Sequence, residues 1–289
     1  MQQHLLLPFF LSFPLSLLIG LVVGSFLNVL ISRLPLILQQ EWRNQSLEYL
    51  SLPRKREDFN RFNLLYPRSH CKNCKKNVNW YDNIPLFSFI WLRGKCRFCQ
   101  LSINKQYPFV EFLTAVMTAY IFNRFGWNFL ALGVCLYTWI LISLAIIDYN
   151  TQLLPDELTL SLLWLGLFFS VFQILIVPEN AILGAMLGYC FFWIIAFIFK
   201  QVRKKPGMGH GDFKLLAAIG AWVGPLPLVY VILLASIVNL VANLILLILK
   251  KIHYNQAIPF GPALCLAGWI VIMFGSKILE ANSFLKFFL

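Results

Sequence analysis

Charge is scarce in this chain. Asp, Glu, Lys and Arg make up 12% of its 289 residues, and only 12 of those residues are acidic. Soluble domains carry about 25% charged residues. Apolar residues reach 59% and the mean hydropathy is +0.72. A soluble core cannot use that much apolar surface, which leaves a polytopic membrane protein. Two catalytic templates are also missing. Without H-E-x-x-H or G-x-S-x-G, metalloprotease and serine hydrolase chemistry have no anchor. No basic segment precedes the first apolar stretch, about 5–31, which exceeds a signal peptide's apolar core. It therefore reads as a retained helix. There is no internal repeat and no low-complexity tract.

Apolar stretches follow at about 108–123, 127–147, 158–177, 181–199, 213–224, 227–249 and 261–279. A span needs about 20 apolar residues, so 213–224 is the weakest of eight expected spans. The 27 Phe residues should mostly face lipid or neighbouring helices. With the N-terminus outside, 21 of the 24 Lys and Arg fall in inside loops, leaving Arg124, Lys277 and Lys286 outside. The positive-inside rule then predicts N-out, C-out topology. The net charge of +12 is explained by this placement, and no nucleic-acid partner is implied. The expected fold is all-α and polytopic, with about eight transmembrane helices and a small cytosolic zinc-binding domain between the first and second. The expected division is 1–32 (first transmembrane helix), 33–106 (cytosolic, Cys-rich, with an irregular charged part at about 36–66) and 107–289 (transmembrane bundle).

Cys71-x-x-Cys74 and Cys96-x-x-Cys99 are separated by 21 residues. Two such knuckles read as a tetrahedral four-thiolate zinc site with no open position, hence structural rather than catalytic. A redox dithiol pair is the alternative; an inside location disfavours disulfides. The metal would fold a segment with too few apolar residues to fold alone. Cys135, Cys190 and Cys265 lie inside spans and read as small buried hydrophobes.

Two acids sit at the ends of apolar stretches. Asp212 follows Gly207-Met-Gly-His-Gly211, and Asp148 closes the stretch before Tyr149. Ionisable residues at membrane depth point to function. Two carboxylates sharing a proton can hydrolyse a peptide bond, one taking a proton from water and the other donating to the carbonyl oxygen. The competing reading makes each an interfacial residue or helix cap. That suits Asp212, at a helix start, better than Asp148, whose charge opposes a helix C-terminus. Asp156 and Glu157 have a structural role in a helix first turn after Pro155. The G-x-G-x-G run lacks the preceding strand of a nucleotide site, and reads instead as backbone that a peptide can approach closely. His210 reads as a loop residue rather than a base.

Together these residues resemble the bacterial prepilin leader peptidase family of bifunctional membrane enzymes. The resemblance is carried by Gly24-Ser-Phe-Leu-Asn28-Val-Leu-Ile-Ser-Arg33-Leu-Pro35, both knuckles, Asn83-Ile-Pro85-Leu, Leu92-Arg-Gly94-Lys-Cys96 and Tyr107-Pro-Phe-Val-Glu111. Further on come Asp148 with Leu154-Pro155-Asp156, Gly209-His-Gly211-Asp212-Phe-Lys214 and Pro259-Phe-Gly261-Pro262. It implies cleavage of the basic leader of type IV prepilins and pseudopilins after a Gly. The new N-terminal residue, often Phe, would then be methylated with S-adenosyl-L-methionine. The family's GxGD aspartate falls on Asp212, its other catalytic aspartate on Asp148, and its cysteines on Cys71, Cys74, Cys96 and Cys99. Asn83, Gly94 and Glu111 are the candidates for the methyl donor's site. The enzyme would sit in the bacterial inner membrane, with its active site facing the cytoplasm and the lipid bilayer and prepilins as partners. Alternatives are a GxGD intramembrane protease with other substrates, a transporter relaying protons through the Asp pair, and a non-catalytic scaffold.

Overall fold

The computed structural model describes residues 9–52, 63–71, 73–204, 207–249 and 259–281. Among these the chain is helical: α1 (Phe9–Tyr49), α2 (Phe87–Trp91), α3 (Gln106–Phe125), α4 (Phe129–Thr151), α5 (Asp156–Val171), α6 (Pro178–Arg203), α7 (His210–Val223), α8 (Pro225–Ile248) and α9 (Gly261–Ala281). Extended pairing is limited, among the described residues, to isolated bridges in the Cys-rich segment. Two compact units divide at residues 139 and 140, inside α4.

Among the described residues four helices, α1, α4, α6 and α8, are long and apolar enough to cross a membrane. The most apolar windows of α6 and α8 are only 17% and 11% buried, so these helices present wide apolar surface that water would not tolerate. The remaining apolar stretches form shorter or less apolar helices. At 14 residues, α7 reaches about 21 Å against a hydrocarbon layer of about 30 Å.

In the first unit α1 packs along α3. The contact is close because Gly20 and Gly24 lie against the α3 backbone; a Cβ on Gly24 would come within 2.8 Å of Glu111 Cα. α1 does not stop at residue 32. It runs through Pro35 to Tyr49, so residues 36–49 are helical rather than irregular. Leu36-Ile-Leu-Gln-Gln-Glu-Trp is a run with no strong breaker, and its charge does not oppose helix formation. The rest of the expected irregular part lies mostly outside the described residues. Arg33 sits where the helix leaves its apolar stretch, and its guanidinium donates to the carbonyls of Asn63, Leu64 and Pro67 at 3.0, 3.3 and 2.7 Å. That guanidinium fastens the start of the Cys-rich segment to α1.

In the second unit α7 is the buried centre. Phe213 and every residue from Leu215 to Val223 are buried, packed by α5, α6, α8 and α9. A short helix that is apolar on all faces can only be stable in such a place. Gly224 (φ +81°) and Pro225 end α7 and start α8. Upstream, α5 begins at Asp156 after Pro155, with Asp156 and Glu157 in its first turn as expected.

Candidate functional site

Asp212 is the third residue of α7. The helix opens at Gly209, which makes no side-chain cap, and the Asp212 N–H donates to the Gly209 carbonyl at 3.2 Å. Asp212 is therefore not the N-cap. It is half-buried beneath the glycine-rich turn; a Cβ on Gly209 would lie 3.8 Å from its Oδ2. Asp148 occupies the last turn of α4 and is 5% exposed. The two carboxylates interact electrostatically, and both act on the buried Cys265. Both therefore sit in the second unit within reach of each other's charge.

The surroundings of Asp148 were not read from the sequence. Its Oδ2 accepts the N–H of Gly261 at 3.0 Å, across 113 residues. Gly261 opens α9, where backbone donors lack intrahelical partners and the dipole favours negative charge. Asp148 therefore has a structural role after all: it caps another helix. Only glycine fits at 261, because a Cβ there would stand 2.5 Å from Oδ2. The Pro259-Phe-Gly-Pro262 run was the one available signal, and it carried no partner. Asp156 also gains a partner, accepting Lys214 Nζ at 2.7 and 2.6 Å, which ties the α5 start to the α7 start. His210 is exposed and meets Phe213 edge-on at 5.2 Å. Phe192 lies between Phe213 and Phe260, at 6.5 and 6.0 Å, so one aromatic ring of α6 touches both the α7 and α9 starts.

The second candidate site is the Cys cluster. The four sulfurs of Cys71, Cys74, Cys96 and Cys99 all lie within 4.8 Å of one another, and Cys71 Sγ is 3.7 Å from Cys99 Sγ. A tetrahedron with metal–sulfur bonds of about 2.3 Å has edges of about 3.8 Å. The cluster therefore fits a tetrahedral thiolate-bound metal. The knuckles are near copies, a repeat that sequence reading missed. In each, the N–H of the first Cys donates to a carbonyl five residues on (Lys76, 3.0 Å; Leu101, 2.8 Å). In each, the residue after the second Cys has positive φ, Lys75 at 55° and Gln100 at 57°. The bridges His70–Asn77 and Lys95–Ser102 close both loops. The signal was C-x-x-C-[KQ] recurring after 25 positions, too short to stand out.

The backbone N–H of Leu101 draws the Cys99 thiol down to about 6. Despite the Lys76 N–H, desolvation and the neighbouring thiols push Cys74 up to about 11. Crowded thiols cannot all ionise alone, which is the condition a bound cation relieves. Cys135 and Cys265 are buried as expected, whereas Cys190 is exposed on α6. Its face of α6 is turned outward, which an apolar run that is uniform all round does not reveal.

Asn83, Gly94 and Glu111 fall on adjoining pieces of the first unit. Asn83 ends a 3₁₀ turn over Trp80–Asn83. Gly94 has φ +70° after α2; its N–H donates to Phe89 O at 2.8 Å and its carbonyl accepts from Ile103 at 2.7 Å. Glu111 is buried, and its Oε2 accepts the Leu86 N–H at 2.8 Å. The Asn28 and Ser25 side chains of α1 lie beside it, and Asn28 Nδ2 donates to Tyr107 O at 2.9 Å. The Glu111 carboxylate on α3 thus holds the turn before α2.

Two family models match the chain, the bacterial peptidase A24 N-terminal domain over residues 18–125 and the type IV leader peptidase family over 135–244. A protein of Stutzerimonas stutzeri named prepilin leader peptidase/N-methyltransferase is 43% identical over 272 residues, covering 94% of this chain and 93% of its own. The chain belongs to the type IV leader peptidase family. A like-named relative from Aeromonas salmonicida (strain A449) is 44% identical over 271 residues, 93% of this chain and 92% of its own. One from Pseudomonas aeruginosa is 41% identical over 287 residues, 98% of each chain. No solved structure matches this family member.

Proposed function

We propose that this chain cleaves the basic leader of type IV prepilins and pseudopilins after a Gly at the cytoplasmic membrane face, then N-methylates the new terminus with S-adenosyl-L-methionine. What supports the peptidase reading is that Asp148, at the start of α9, lies within electrostatic reach of Asp212, at the start of α7, in a chain more than 40% identical to prepilin leader peptidase/N-methyltransferases. The pair shares one proton. The ionised member takes a proton from water, the water attacks the scissile carbonyl, and the protonated member donates to the carbonyl oxygen. Capping and catalysis use different oxygens of Asp148: Gly261 occupies Oδ2 and so orients Oδ1. Asp156 is already neutralised by Lys214. The charges left to attract a basic leader are the single charge of the Asp148–Asp212 pair and that of Glu157.

The four cysteines hold a structural zinc, and the helices cross the inner membrane about eight times with the N-terminus outside. Domain limits of 1–32, 33–106 and 107–289 follow that topology. Asn83 and Gly94 line the methyl donor's site, and Glu111 fixes the turn between its elements. The bound donor supplies a methyl group on a sulfonium to the neutral terminal amine. Mass spectrometry of a prepilin incubated with the purified protein and S-adenosyl-L-methionine tests the whole reading. Loss of the leader plus one methyl is the expected result. Cleavage without methylation removes the transferase, and an intact prepilin removes the peptidase.

A further inference from the structure

α2 is five residues long and carries Phe87, Ile90 and Trp91, which are 61%, 71% and 73% exposed. These positions are spaced i, i+3 and i+4 on one face, and the Phe87 and Trp91 rings stack at 6.1 Å. The height of this face along α1 is fixed by three contacts. Leu86, just before α2, is bonded to Glu111. The Glu111 backbone lies against Gly24 of α1, and Asn28 of α1 is bonded to Tyr107. The turn that launches α2 is therefore held level with residues 24–28 of α1. The apolar stretch of α1 continues to Ile31, and its first charge is Arg33. From Asn28 to Arg33 is a rise of only about 7.5 Å. A face at that height meets the boundary of the bilayer and not bulk water. Exposed Arg93 and Lys95 follow directly, the charge that suits anionic headgroups. Trp beside a basic residue is the composition of an interfacial anchor.

We infer that α2 is an interfacial anchor that seats the Cys-rich segment on the phospholipid surface through Phe87, Ile90 and Trp91. The inference rests on reading α1 as a membrane span. It accounts for an otherwise costly apolar face on the polar segment, and it explains why Glu111 is buried to hold so small a helix. The anchor would restrict the metal-bearing knuckles to a layer next to the membrane, where a freshly cut membrane-held terminus also lies.

The test uses the full-length protein in nanodiscs of phosphatidylethanolamine and phosphatidylglycerol. The photoreactive residue benzoylphenylalanine replaces Trp91, Val22 or Phe98 singly. Val22 is an exposed position on α1, and Phe98 sits in the second knuckle under Lys76. Retained zinc content together with retained leader cleavage reports that both units of each variant are folded. Phospholipid adducts at positions 91 and 22, well above the yield at 98, are expected. Adducts at 22 but none at 91, or protein adducts in place of lipid at 91, would overturn the anchor and leave the membrane reading intact. Equal lipid yield at 91 and 98 would also overturn it. Absence of adducts at 22 would remove the membrane reading of α1 itself.

Discussion

Replacing Gly261 by alanine should disable leader cleavage while leaving the rest of the protein in order. An alanine Cβ at 261 would stand 2.5 Å from Asp148 Oδ2 and 3.1 Å from its Cγ. Carbon–oxygen contacts settle at about 3.3–3.6 Å, so the carboxylate or the α9 start must retreat by about 1 Å. Either movement strains the 3.0 Å bond from the Gly261 N–H. A hydrogen bond to a charged group contributes about 1.5–3 kcal/mol, and a misplacement of about 1 Å at a reacting group costs about 100-fold in rate. The expected outcome is a kcat for prepilin cleavage about 100-fold below wild type, with KM little changed. Methylation of a pre-cleaved pilin should persist, because Asn83, Gly94 and Glu111 belong to the other unit. Gly275→Ala is the matched control on the same helix, since among the described residues its Cβ would meet only Val271 Cγ1, at an ordinary 3.6 Å. A Gly261→Ala protein that cleaves at the wild-type rate would refute the role given to the Asp148–Gly261 contact.

Asp148→Asn and Asp212→Asn should each abolish cleavage in the same assay, with the protein still inserted in membranes; normal processing by both would sink the aspartyl mechanism. Cys71→Ser or Cys96→Ser should remove bound zinc, measured by elemental analysis, and weaken methylation; unchanged metal content would rule the thiolate site out. Glu111→Ala leaves the Leu86 N–H without its acceptor, a loss of about 1–3 kcal/mol, and should lower both thermal stability and methylation. Glu111→Gln keeps an acceptor and should restore most of both, whereas a general base would not be rescued. Lys214→Met breaks an ion pair whose side chains are 34% and 52% exposed, so thermal unfolding should register less than about 1 kcal/mol.

The chemistry-bearing residues were legible because each is constrained locally, by residue type and spacing. C-x-x-C twice needs no tertiary information to suggest a four-sulfur site, and the sulfurs do converge within 4.8 Å. Asp156 and Glu157 after Pro155 announce a helix start, and α5 begins there. Helix ends were harder to place. α1 runs past its apolar stretch to Tyr49 because helix persistence depends on breakers and caps, not on hydropathy. The weak stretch at 213–224 shows the opposite confusion. It is too short to span on its own, yet it is buried on every side at the centre of the second unit. Apolarity alone does not separate a lipid-facing helix from a helix buried in protein.

What stayed hidden is mostly backbone. Asp148 looked unexplained from sequence because its partner, the Gly261 N–H, has no side chain to announce it and lies 113 residues away. Glu111 gave no sign of its positioning role for the same reason: its partner is the main-chain N–H of Leu86. In both cases a carboxylate is held by a main-chain donor at the start of a helix, α9 in one and α2 in the other. Helix starts leave such donors unpaired, and in a chain this short of acids the few carboxylates are the acceptors able to meet them with a full charge. A sequence with so few acids that spends two of them on helix starts is placing them for position. For Asp148 that position is within electrostatic reach of Asp212; for Glu111 it fixes α2 at the height where the apolar stretch of α1 ends.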